Sequence, residues 1–189
     1  MNTKNEKKNL IILFPGAGYT VDKPLLYYAG FKYDVKGYEV LRIDYGDCIF
    51  NGKTQNKPFD EIIEDIKKFV LEQIKEVDFL IYDDIVFCSK SMGTIIAGWL
   101  AEILNIKNIR HIYLTPVNDT LQYIKAGKNI NIVIAGTKDD FINLEMLKEN
   151  CEREEIKLEL IDGANHGLVI ANEDMNVNID ILKRIVELY

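Results

Sequence analysis

The sequence predicts an α/β fold: a doubly wound, mostly parallel sheet with helices on both faces. Three observations carry this. The runs Leu10–Phe14, Val40–Ile43, Ile85–Cys88 and Ile130–Ala135, with Ile109–Leu114 as a fifth, are short and nearly continuously apolar, as strands buried on both faces are. Segments between them carry apolar residues at helical spacing. Strands and helices therefore alternate along the chain, the pattern of a parallel sheet built from right-handed crossovers.

Taken in order, Leu10–Phe14 stops at Pro15-Gly16, and Pro24-Leu25-Leu26-Tyr27-Tyr28 follows as an apolar helix face packing on the sheet. Val40–Ile43 is the second strand. The next helix is marked by Phe59, Ile62, Ile63, Ile66, Phe69, Val70, Ile74 and Val77. Pro58 stands near its first turn, and Asp60, Glu61 and Glu64 suit the positive end of its dipole. Ile85–Cys88 leads into a helix from about Met92 to Leu104, apolar nearly all round and hence buried. In Ile156–Leu160, apolar residues alternate with Lys157 and Glu159, so one face is wetter, as near a sheet edge. A final helix bears Ile181, Leu182, Ile185, Val186 and Tyr189 on one stripe, which docks the C-terminus on the sheet.

With 189 residues and 48% hydrophobic content spread along its length, the chain fits a single globular domain over 1–189 rather than a disordered one. A formal net charge of −7 repels phosphate backbones and acidic membranes, so neither nucleic acid nor membrane is an expected partner. Cys48, Cys88 and Cys151 are widely spaced and odd in number, which argues against a disulfide scaffold or zinc site and for a reducing compartment. Lys4, Lys7 and Lys8 resemble a signal n-region, but the apolar run after them is too short for an h-region. The expected location is the cytoplasm.

In such sheets ligands bind beyond the carboxyl ends of the strands. There Ser89-Lys90-Ser91-Met92-Gly93 joins the strand Ile85–Cys88 to the buried helix. A nucleophile elbow needs small residues two before and two after its serine. Gly93 supplies the second, and Ser89 stands where Gly is usual. The same segment also reads as an ordinary serine helix cap. After Ile132–Ala135 come Asp139 and Asp140, either an acid that orients a histidine or plain turn residues. Asp139 is the first choice and Asp140 the alternative. His111 lies inside a strand and reads as packed, whereas His166 sits in Gly163-Ala164-Asn165-His166-Gly167, a loop between glycines. Each of Ser91, Asp139 and His166 has a bland reading alone. Their order, with Asp139 48 residues after Ser91 (139 − 91) and His166 27 further on (166 − 139), puts all three after strands on one edge of the sheet.

Phe14-Pro15-Gly16-Ala17-Gly18-Tyr19 follows the first strand. Backbone N–H groups of Ala17 and Met92 are expected to hold an oxyanion, each such donor being worth on the order of 3 kcal/mol in a transition state. The competing reading is a dinucleotide-binding turn with Asp44 as the ribose acid, but its third glycine position holds Val21.

These residues resemble the α/β-hydrolase family over nearly the whole chain. Ser91 matches the nucleophile, Asp139 the acid after the penultimate strand, His166 the histidine after the last, and Pro15-Gly16-Ala17-Gly18 looks like the family's His-Gly oxyanion segment with Pro15 where His is often found. The stretch after Leu114 is too short for the inserted lid. The resemblance implies a small, lidless member near the dienelactone-hydrolase-like and small esterase or thioesterase groups: a serine hydrolase acting on a small-molecule ester or thioester, with no cofactor and no metal. Tyr19, Asp22, Lys23, Tyr45 and the loop Asp47–Lys57 flank the site; of these Tyr19 and Tyr45 are the substrate-binding candidates. The alternatives are a catalytically silent binding module of the same fold and the dinucleotide-dependent oxidoreductase.

Overall fold

Alternation within each strand decides the layers. In the computed structural model, which describes residues 8–46, 57–125 and 127–189, β1 (Lys8–Phe14) sends Leu10, Ile12 and Phe14 to one face of the sheet and Ile11 and Leu13 to the other. β3 (Tyr82–Lys90) divides Ile85 and Phe87 from Val86 and Cys88 in the same way. β5 (Ile130–Gly136) divides Val133 and Ala135 from Ile132 and Ile134. Both faces are thus apolar and both need covering. On the first lie α2 (Phe59–Ile74), α3 (Met92–Leu104) and α4 (Leu144–Arg153). On the second lie α1 (Pro24–Val35) and α5 (Met175–Glu187).

Six strands pair in parallel in the order β2-β1-β3-β4-β5-β6, where β2 is Glu39–Arg42, β4 Ile109–Leu114 and β6 Leu158–Ile161. The expected mostly parallel sheet is therefore wholly parallel among the described residues. β2 and β6 are its edges and its least buried strands, in keeping with the polar alternation around Leu158. The chain runs from β1 out to β2 and then returns past β1 to β3. Consequently α1 and α3 leave neighbouring strands towards opposite faces, and a crevice opens between the carboxyl ends of β1 and β3.

Some boundaries differ from the sequence expectation. α2 stops at Ile74, and the chain tightens into a 3-10 turn at Phe79–Ile81 capped by Asp78. The sequence did not announce α4, because it buries only Leu147 and Cys151. Its start is nevertheless encoded: the Asn143 side chain accepts from Met146 N–H at 3.1 Å, a standard N-cap. At the other end of the chain Tyr189 is buried and donates its hydroxyl to the Leu25 carbonyl at 3.0 Å, fastening α5 to α1. Cys88 and Cys151 are buried and unpaired on opposite faces; Cys48 lies outside the described residues. No helix among the described residues is long and apolar enough to cross a membrane.

His111 is packed, as read, on the central strand β4. Its ring stacks on Tyr113 at 4.9 Å and meets Phe87 edge-on at 5.7 Å. Its Nδ1 has no hydrogen-bond partner. Burial, with a smaller push from Lys128, takes its pKa down to about 3. The unfolded chain binds a proton at His111 near pH 6.5 that the folded chain refuses, so stability falls as pH drops from about 6.5 towards 3. Replacing His111 by Phe removes that penalty: urea unfolding at pH 5 should show the variant's disadvantage at neutral pH shrinking, relative to wild type, by about 2 kcal/mol.

Candidate active site

A parallel strand that must turn at once into a buried helix has little room, and the turn between β3 and α3 meets this with a strained residue. Ser91 sits at φ 56°, ψ −126° as the N-cap of α3, a left-handed backbone that a non-glycine residue rarely adopts. Its N–H is held by the Leu114 carbonyl at 2.9 Å, and its own carbonyl accepts from Thr94 N–H at 2.9 Å. Two neighbours must be small. A Cβ on Gly93 would stand 2.4 Å from the Pro15 carbonyl oxygen and 2.6 Å from that of Phe14. Ser89, in the other small position, is fully buried, and its hydroxyl reaches the Ile112 carbonyl at 3.4 Å.

The loop after β1 presses on this turn: a Cβ on Gly16 would lie 3.1 Å from Ser91 Cβ. Neither Ala17 N–H nor Met92 N–H donates in the turn, loop and side-chain hydrogen bonds of the described residues. Gly16 and Tyr19 close the loop on themselves, Gly16 N–H donating to the Tyr19 carbonyl at 2.9 Å. α1 begins only at Pro24, eight residues past Gly16 (24 − 16). A dinucleotide turn instead opens straight into its helix, so that pyrophosphate meets the helix N-terminus. Asp44, the ribose-acid candidate, spends its carboxylate on Gly46 N–H at 2.8 Å.

The loops after β5 and β6 are joined to each other. Lys138 N–H donates to the Ala164 carbonyl at 2.9 Å, and Gly163 N–H to the Thr137 hydroxyl at 2.7 Å. Gly136 permits this, since a Cβ there would stand 2.1 Å from the Ala164 oxygen. The joined loops bring Asp139 and His166 together: His166 Nδ1 lies 2.9 and 2.8 Å from the two carboxylate oxygens. The Asp139 side chain is wholly buried, and its Oδ1 also accepts from Phe141 N–H at 2.9 Å. Nε2 of His166 is 2.7 Å from Ser91 Oγ. A carboxylate only accepts, so Nδ1 carries the ring proton and Nε2 accepts from the serine hydroxyl. Ser91, His166 and Asp139 thus form one hydrogen-bonded chain. Asp140, the alternative acid, is exposed.

The two tyrosines differ from free site walls. Tyr19 gives its hydroxyl oxygen to Leu25 N–H at 2.9 Å, an anchor for the start of α1. Tyr45 is buried with an unpaired hydroxyl. Tyr45 does border a cavity of ≈ 600 Å³ between the β1–α1 loop and the end of β2, lined also by Ala17, Lys23, Arg42 and Asp44. Asp22 lines it too, while the loop from 47 to 56 lies outside the described residues. Two neighbours of the chain were not anticipated. Phe141, 61% exposed, lays its ring 4.5 Å from the His166 imidazole. Lys90 is 2% exposed and donates to the His166 carbonyl at 2.8 Å. Its place at the end of a strand next to a turn gives no sequence signal of burial, since a lysine there ordinarily reaches water. Among the described residues no group of three or more His, Cys, Asp or Glu side chains is placed to hold a metal ion.

A six-strand parallel sheet with helices on both faces and a tight strand-to-helix turn at its carboxyl edge define a small α/β-hydrolase fold, with no cap domain among the described residues. Residues 7–188 match the family model described as an alpha/beta hydrolase domain, and the chain belongs to that family. Solved structures agree in fold. They include a serine hydrolase without lid, XC6422 from Xanthomonas campestris (14% identity, 95% of this chain and 79% of that one, TM-score 0.61). Est1E from Butyrivibrio proteoclasticus, solved with ferulic acid bound, is similar at 17% identity (98% and 92%, TM-score 0.62). The Pyrococcus furiosus esterase Pf2001 is similar at 18% identity (97% and 83%, TM-score 0.60). No curated protein matches the sequence.

The turn's geometry predicts that Gly93→Ala forces β1 and α3 apart. The expected cost is about 3 kcal/mol or more, read as a fall of roughly 6–12 °C in melting temperature. An unchanged melting temperature would refute the close approach.

Proposed function

We propose that the chain is a serine hydrolase that cleaves a carboxylic ester or thioester of a small substrate through an acyl-enzyme intermediate. The observation that carries this reading is the continuous hydrogen-bonded chain from Ser91 Oγ through His166 to buried Asp139. In the reaction, Ser91 Oγ attacks the carbonyl carbon while its proton passes to His166 Nε2. Asp139 fixes the imidazole tautomer and stabilises the cation that forms. The tetrahedral oxyanion rests on Ala17 and Met92 N–H, the latter at the positive end of α3. His166 then returns the proton to the departing alcohol or thiol. Water, deprotonated by the same imidazole, releases the acid and restores Ser91.

A fluorophosphonate should form one adduct, on Ser91, mapped by peptide mass and absent from Ser91→Ala. Ester turnover should drop to background in that variant and by roughly 10⁴ in Asp139→Asn, with Asp140→Asn near wild type. A well-folded protein that takes no adduct would instead be a silent binding module of this fold.

Because the leaving group takes its proton from His166, it must lie beside that imidazole, and the exposed ring of Phe141 flanks it there. Apolar, especially aryl, leaving groups fit this wall. Phe141→Ala should raise KM for aryl esters about fivefold, the equivalent of about 1 kcal/mol of lost apolar contact, and leave KM for ethyl esters unchanged. Equal effects on both would remove Phe141 from the substrate's path.

A further inference from the structure

Lys90 closes β3 immediately before Ser91, and its charged end does not reach solvent. Its Nζ donates to the Thr115 hydroxyl and, at 2.8 Å, to the backbone carbonyl of His166; the ring of Tyr19 lies 5.2 Å away. Burying an ammonium costs several kcal/mol even after relaxation. A methionine would fill the same space without that cost, so the fold alone gives no reason for a charge here. The partners give one. Thr115 follows β4 in a positive-φ conformation (φ 42°) with its N–H fixed to the Ile134 carbonyl at 2.7 Å. It is a rigid point beside the central strands. His166 sits on a loop beyond the edge strand β6, and its position relative to Ser91 decides whether Nε2 and Oγ meet.

We propose that Lys90 is a positioning residue, its buried ammonium tying the His166 carbonyl to Thr115 and so holding the imidazole against Ser91. This rests on the reading of Ser91 and His166 as the reacting pair. His166 is then held at both ends, its ring by the carboxylate of Asp139 and its backbone by the cation of Lys90. The groups facing the ammonium are Thr115 after β4, Asp139 after β5, the His166 carbonyl after β6, and Tyr19 and Lys23 before α1. Desolvation brings the Lys90 pKa down to about 8, opposed by the charge of Asp139 and reinforced by that of Lys23. Above that pH the charge-assisted tie weakens to neutral hydrogen bonds, roughly half as strong.

The test measures the rate of fluorophosphonate labelling of Ser91 from pH 5.5 to 10, together with amide hydrogen exchange of residues 163–168, in wild type, Lys90→Met and Thr115→Val. Wild-type labelling should decline through about pH 8. Lys90→Met should keep or raise the melting temperature, label at least tenfold more slowly at pH 7, lack the alkaline decline and exchange faster in the loop. Thr115→Val, which removes one tie and keeps the charge, should fall between; if Lys90→Met does not fold, this variant decides. Wild-type labelling and wild-type loop exchange in the variants would overturn the proposal. Wild type that resists labelling, with loop exchange still raised in the variants, would overturn the hydrolase reading and leave Lys90 as the anchor of the His166 loop.

Discussion

The carboxyl edge of the sheet depends on the backbone of one residue. Ser91 at φ 56° carries strain of the order of 1–3 kcal/mol, and its neighbours keep it there. Leu114 takes its N–H, Thr94 binds its carbonyl through both N–H and hydroxyl, and Gly93 lets α3 lie on the Phe14 and Pro15 carbonyls where β1 ends. Relaxing φ at this position would swing the serine away from the crevice and break the seam between β3 and α3. The turn stands where the chain passes back across β1, so the loops after β1 and β3 diverge on either side of it. The strand order thus turns a local conformational cost into an open, well-placed side chain.

Electrostatics then fixes the partner. A buried carboxylate and a buried ammonium both hold the loop that carries His166, and each meets a different part of that residue. Neither charge is isolated. Asp139 has the Phe141 N–H and the imidazole, and Lys90 has Thr115, the His166 carbonyl and the Tyr19 ring. Removing one partner of such a set leaves a desolvated charge behind, which costs far more than the pair contributes. Such a set resists displacement of the loop, and a loop that must present a nitrogen within 2.7 Å of Ser91 Oγ gains from that resistance.

Elements whose burial is one-dimensional are legible in the sequence. β1, β3 and β5 announce themselves because both faces are covered and the stretches Leu10–Phe14, Ile85–Cys88 and Ile132–Ala135 within them are apolar throughout. α3 is announced by the burial of its first two turns, Met92–Gly98 with Leu100. α4 escapes because Leu147 and Cys151 are its only buried side chains, too thin a stripe to give a period. Ser91, Asp139 and His166 are legible as candidates because chemistry in this fold class collects after strands, and each follows one. Lys90 is not legible in the same way. A lysine next to a turn normally snorkels to water, and only the tertiary arrangement of Thr115 and the His166 carbonyl reveals that this one does not. Phe141 escapes for the opposite reason: an aromatic in a loop reads as core, whereas its ring is largely exposed against the imidazole.

The absence of a cap domain among the described residues has an energetic consequence for the proposed chemistry. A lidded site excludes water and so strengthens every charge–dipole contact within it; here the described residues provide no such cover, and donors at Ala17 and Met92 would act against competing solvent. Among the described residues the dry surroundings lie at the floor, where Asp139 and Lys90 are buried, and a substrate above it would stay in contact with water. Preorganisation must then replace desolvation. Donors that need no reorganisation keep their advantage over water even in a partly solvated site, provided the loops carrying them do not move. The glycine-tight contact of the β1–α1 loop with Ser91, and the seam joining the β5 and β6 loops, supply that rigidity from the protein side. On the proposed reading, substrate selection would fall to the described walls that remain, a mixed-charge cavity beside Ala17 and an apolar ring beside His166. On that reading, such a division would suit a substrate with a polar acyl part and an apolar leaving group better than one that is apolar throughout.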